Sequence, residues 1–149
     1  MTEKVIVSMA QISPVWLDKK ATLKKVVSSI NQASKDKSDL VVFGESLVPG
    51  YPFWLALTEG AKWDLKINKE LHSHYLKNSV DIENGDLDQI CAIAKKLKIA
   101  VYLGVVERAA DKEELNGGNW MLLKVAQKLT ISFRTTKRWL WFLEQKNLD

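Results

Sequence analysis

Residues 38–54 read SDLVVFGESLVPGYPFW, a short apolar, β-branched run that stops at a glutamate and passes into a turn rich in proline and glycine. The run DLVVFG (39–44) is too short for a helix and too apolar for a surface loop, so it predicts a buried strand. On its amino side KVIVSMA (4–10) is a second buried run, ending in Gln11 and the breaker pair Ser13-Pro14. Between the two, Asp18 can cap a helix in which Leu23, Val26, Val27, Ile30 and Ala33 recur at helical spacing. Lys19, Lys20, Lys24 and Lys25 then fall on a solvated face. A strand, a helix and a strand in that order predict a βαβ crossover with parallel pairing.

On its carboxyl side, residues 53–78 are aromatic and mixed and predict one or two short helices. Gly85-Asp86 opens another helix, with Leu87, Ile90, Cys91, Ala94 and Leu97 on one face, and IAVYLGVV (99–106) is a third buried strand. The order up to Glu107 is β-α-β-α-α-β, an α/β layered sheet. Beyond a polar loop, ERAADKEELNGG, the runs WMLLKV and LTISF are candidate strands around Ala126-Gln127-Lys128. TTKRWLWFLEQKNL is a candidate terminal helix.

With 149 residues, 46% hydrophobic and 27% charged, the chain has the balance of one folded domain. At this size a domain buries roughly 70% of its unfolded surface. No run approaches the ~18 apolar residues a membrane span needs, and the start MTEKVIVSMAQ has no cleavable signal pattern, which predicts a cytoplasmic protein. The single cysteine, Cys91, excludes an internal disulfide and a thiolate zinc cluster. The net charge of +4 lies entirely in residues 119–149, which carry six basic and two acidic side chains and three of the six tryptophans, Trp120, Trp139 and Trp141. The cations and aromatics of RTTKRWLWF are too few to predict a nucleic-acid or membrane partner. Gly117-Gly118-Asn119 lacks the spacing of a phosphate loop.

Glu45 is the most informative position. It follows a buried strand at the carboxyl edge, where open α/β sheets place their sites, and partial desolvation there would raise its pKa and suit it to general-base work. A carboxylate that caps the turn or pairs with a lysine is the alternative reading. Tyr51, Phe53, Trp54 and Trp63 can line an aromatic pocket or simply pack together. His72 and His74 are two apart, which sends them to different helix faces and builds no metal site. Cys91, on an apolar helix face, reads as core packing rather than as a nucleophile.

The segments VIVSMAQISPVWLD, SDLVVFGESLVPGYPFW and IAVYLGVVER, in this order and spacing, resemble the amino-terminal half of the nitrilase superfamily, the carbon–nitrogen hydrolases. The GYPFW ending is more similar to the nitrilase branch than to the amidase branches. The resemblance covers about residues 4–118 and departs at Gly44, where the family usually has proline; this should loosen the turn slightly. It implies part of an α-β-β-α sandwich and a Glu, Lys, second Glu and Cys site without metal or organic cofactor. In that site Glu45 is the general base, the lysine stabilises the tetrahedral intermediate, and the cysteine attacks a nitrile or amide carbon. Tyr51 and Trp54 would face the substrate.

The family's H-R-K-like lysine motif and C-W-E-N-like cysteine motif have no match in the chain. Lys128 in AQKLT and Lys137 in TTKRW stand near the lysine's place but do not resemble its motif. The reading that follows is a nitrilase-like portion, 1–118, and a divergent basic, Trp-rich tail, 119–149, where a lost reading frame or a rearrangement would explain the break. Two functions stand against each other: a nitrile or amide hydrolase with an incomplete catalytic set, and a non-catalytic fragment that associates with itself or with a partner through an uncovered sheet face.

Overall fold

Asp18 starts the first helix: its Oδ1 accepts the Ala21 N–H at 2.9 Å, which satisfies one of the donors that a helix start leaves open. The computed structural model describes residues 4–59, 62 and 65–108 in full, and the backbone of 115–124 and 130–136. The elements are β1 (Val7–Ala10), α1 (Lys19–Lys35), β2 (Leu40–Phe43), α2 (Trp54–Leu57), α3 (Lys66–Asn78), α4 (Asp88–Leu97), β3 (Ala100–Arg108), β4 (Leu115–Lys124) and β5 (Thr130–Thr136). They form a partial α/β domain. One sheet runs in the order β1-β2-β3-β4-β5, with β1, β2 and β3 parallel and β4 and β5 added antiparallel.

Alternation along the strands sorts the two faces. Val41, Phe43, Val101, Leu103 and Val105 point to the face covered by α1 and α4 and are buried with Val26, Ile30, Ala33, Ile90 and Ala94. The register sets Val7 beside Leu40 and Ala100, and Met9 beside Val42 and Tyr102, on the opposite face. That face is open at β1, where Val7 is 50% and Met9 86% exposed. The buried strand predicted over residues 4–10 is therefore corrected. It is a strand, but an edge strand whose outer residues have no cover among the described residues.

Two helix readings also change. Lys19 is not on the solvated face: its Nζ donates to the Ser79 carbonyl at 3.1 Å and pairs with Asp86, tying the start of α1 to the loop before α4. Cys91 is only half-buried, and Ile93 packs against the core on the other flank of the α4 stripe. The two strands predicted beyond residue 119 are found as parts of β4 and β5. The helix predicted at the carboxyl end falls, from residue 137 onward, outside the described residues, as does Trp63.

Candidate active site

Glu45 stands on a turn that the register forces out of the sheet. Val42 pairs with Tyr102, and the next pairing between the same two segments is Val48 with Val105. Six steps of chain on one side thus answer three on the other, and the excess loops out around Glu45. The turn closes tightly: the Val48 N–H donates to the Gly104 carbonyl at 3.3 Å and the Val106 N–H to the Val48 carbonyl at 2.8 Å. Ser46 accommodates the reversal with a left-handed φ of 50°, a conformation that costs a non-glycine residue about 1 kcal/mol.

The looped-out backbone lies directly over Gly104. A Cβ on residue 104 would meet the Gly44 carbonyl oxygen at 2.3 Å, the Glu45 Cα at 2.8 Å and the Ser46 nitrogen at 2.9 Å. Only glycine fits under the turn. At Gly44, by contrast, an added Cβ meets nothing within 4 Å. The loosening expected from glycine at 44 concerns chain freedom alone, since neither space nor a left-handed φ requires it.

Beyond the turn, the loop is held from behind. Gly50 has φ 116° and presses on Trp16, whose ring a Cβ would meet at 2.7 Å. The Leu17 N–H donates to the Pro49 carbonyl at 3.1 Å, the Trp16 Nε1–H to the Tyr51 carbonyl at 3.3 Å, and the buried Tyr75 hydroxyl to the Gly50 carbonyl at 2.9 Å. Trp54 packs between Trp16 and Tyr75, with ring centroids 6.1 and 4.8 Å apart. Burial pushes the Tyr75 phenol well above its ordinary value, and the nearby Tyr51 adds to this.

A second polar group flanks the turn. Tyr102 lies two residues before Gly104 on β3, on the same face; burial, then the charge of Glu45, push its phenol up from its ordinary value of 10.0. In the loop between α3 and α4, beside the Arg108 end of β3, the buried Asp81 carboxylate is held down at about 2. The Asn84 side chain is the largest cause, followed by the Arg108 guanidinium at 2.9 Å and the Asn84 backbone N–H.

The predicted site residues separate on this scaffold. Glu45 is exposed rather than desolvated, so the partial burial expected for it is not met. Tyr51 is 66% and Phe53 48% exposed, whereas Trp54 is 4% exposed and belongs to the packing beneath the loop. Its buried Nε1–H has no hydrogen-bond partner among the described residues. His72 and His74 lie on α3 and differ in exposure, and no cluster of three metal-binding side chains occurs among the described residues. No described helix is long and apolar enough to cross a membrane. Sequence reasoning missed Tyr102 and Gly104, although glycine inside the apolar run IAVYLGVV is itself a signal of close backbone approach.

A parallel βαβ layer with a carboxylate looped out at the carboxyl end of its middle strand defines an α/β protein with a candidate site at the strand ends. Residues 6–146 match the carbon–nitrogen hydrolase family. The chain is 38% identical to an arylacetonitrilase of Aspergillus oryzae over 104 residues, 70% of this chain and 29% of that protein. It is 34% identical to an arylacetonitrilase of Hypocrea virens over 110 residues, 73% of this chain and 31% of that protein. Among solved structures, the NitN amidase of Nesterenkonia sp. AN1 superposes with a TM-score of 0.59 at 14% identity, over 95% of this chain and 47% of that one. The NitFhit protein of C. elegans superposes with a TM-score of 0.58 at 13% identity, over 94% and 30%. The chain therefore belongs to the carbon–nitrogen hydrolase family, within the nitrilase superfamily. It spans about a third or less of the length of the two arylacetonitrilases.

Proposed function

We propose that the chain is the general-base portion of a nitrilase-type carbon–nitrogen hydrolase, acting on a nitrile or a small amide, with Glu45 as the base. The observation that carries this reading is the turn itself: three surplus residues place one carboxylate beyond a sheet edge, on a backbone that glycine at 104 alone can seat. In this role Glu45 takes the proton of a thiol as that thiol attacks the nitrile or amide carbon. Cys91 reads as core packing, Lys128 and Lys137 do not resemble the family's lysine motif, and a base without its nucleophile and oxyanion donor loses most of the rate enhancement, because such groups act as a unit. Tyr51, exposed on the loop, faces the substrate, and Trp54 supports that loop from below. A cytoplasmic location, and the division of the chain near residue 118, belong to the same proposal.

Ammonia release from a panel of nitriles and small amides tests it, with Glu45→Gln and Cys91→Ala as controls. Folded chain alone should release little ammonia, and whatever it releases should be lost in Glu45→Gln. Release that survives Glu45→Gln would overturn the role of Glu45, and release lost in Cys91→Ala would overturn the reading of Cys91.

The open face of β1 favours a second reading, a module that associates with itself or with a longer relative. Val7 and Met9 present apolar surface on an edge strand, a combination that promotes strand or face pairing. Sedimentation velocity across a concentration series decides it. A single monomeric species at every concentration would rule this reading out.

A further inference from the structure

We propose that Tyr102 is a positioning residue of the Glu45 site, its phenol standing beside the glutamate on the open sheet face and orienting the carboxylate. This rests on the reading of Glu45 as the site's base.

Three observations converge. Strand parity puts Val101, Leu103 and Val105 into the helix-covered core, which leaves Tyr102 and Gly104 on the other face. The approach of the Gly44-Glu45-Ser46 backbone to Gly104 then fixes where the turn crosses that face, within 2.8 Å of the position of a Cβ on residue 104. Tyr102 is the preceding residue on that face, about 6–7 Å along the strand, within reach of a glutamate side chain. The charge of Glu45 is the second cause, after burial, that raises the phenol, so the two groups lie within electrostatic reach of one another.

The chemistry of the pair is complementary. Burial and the neighbouring charge keep the phenol neutral, so what it offers at working pH is a donor O–H, and an ionised carboxylate is an acceptor only. Beside Tyr102 in the register stand Val42 and then Met9, both apolar. A base must hold its oxygen in a fixed direction to meet the proton it removes, and a neutral phenol O–H near it can help to set that direction.

The test uses nuclear magnetic resonance on the chain carrying isotope-labelled tyrosine and glutamate, as wild type, Glu45→Gln, Tyr102→Phe and Gly104→Ala. At neutral pH, Tyr102→Phe should move the Glu45 carboxyl resonance more than that of any other glutamate. Glu45→Gln should bring the Tyr102 titration midpoint down toward 10 and leave that of Tyr75 in place. Gly104→Ala, which displaces the turn, should weaken both effects. A Glu45 resonance unmoved by Tyr102→Phe, or a Tyr102 midpoint unchanged in Glu45→Gln, would overturn the proposal, whether or not any turnover is seen. Coupling between the two groups alongside ammonia release that survives Glu45→Gln would instead remove the base reading and leave the coupling standing.

Discussion

Gly104 and Glu45 are in backbone contact: any side chain at 104 would place its first carbon 2.8 Å from the Cα of Glu45. The candidate base is thus held by the absence of atoms on the neighbouring strand. Sheet register decides where the turn crosses.

Gly104→Ala should be destabilising by about 1–3 kcal/mol, because three backbone atoms of the turn must move to admit one methyl group. Urea unfolding should show a lower midpoint with an unchanged slope. A midpoint equal to that of wild type would mean that the turn has slack.

Gly44→Ala should act in the opposite direction. Position 44 has open space and no left-handed φ, so alanine restricts the unfolded chain at no cost in contacts. A gain of about 0.4–1 kcal/mol is expected from the same urea measurement. Destabilisation would show that the turn uses the freedom of Gly44.

Tyr75→Phe removes the hydroxyl that donates to the Gly50 carbonyl at 2.9 Å from a buried ring. The loss should be about 1 kcal/mol, with the larger effect on the loop than on the sheet. Hydrogen exchange of the Leu17 and Gly50 amides should quicken relative to those of β3. Uniform quickening of both sets would show that Tyr75 supports the whole domain instead.

Asp81 makes stability depend on acid. Its carboxyl titrates at about 2 in the folded chain against an ordinary 3.8, so the unfolded state binds the proton more readily. The stabilisation is fully present above about pH 4, fades as pH falls and is lost below about pH 2. Asp81→Asn should therefore be less stable than wild type at neutral pH, and the gap should narrow through that window. Parallel urea midpoints for the two proteins from neutral pH downward would contradict it.

Local pattern was enough for the strands around Val41 and Leu103, for the Asp18 cap and for the βαβ order. Each depends on residues close in sequence: periodicity, a side-chain oxygen, a breaker pair. What it left open depends on neighbours distant in sequence. KVIVSMA carries the same apolar signal whether its outer face is covered or bare, and here Met9 is bare. The stripe of Leu87, Ile90, Ala94 and Leu97 admits Cys91 or Ile93 on its flank, and it is Ile93 that packs against the buried cluster. Lys19 looked like its solvated neighbours until the fold brought Asp86 alongside. At the site, Glu45 was legible from its place after a strand, but its nearness to Tyr102 required the register between β2 and β3.

The spatial order of the strands is also their order in the chain, so each new strand docks on the edge left by the one before. No described strand must wait for a later one to be inserted beside it. A ribosome releasing this chain from its amino end would deliver the sheet ready to grow in one direction, with β1 as a fixed outer edge from the start.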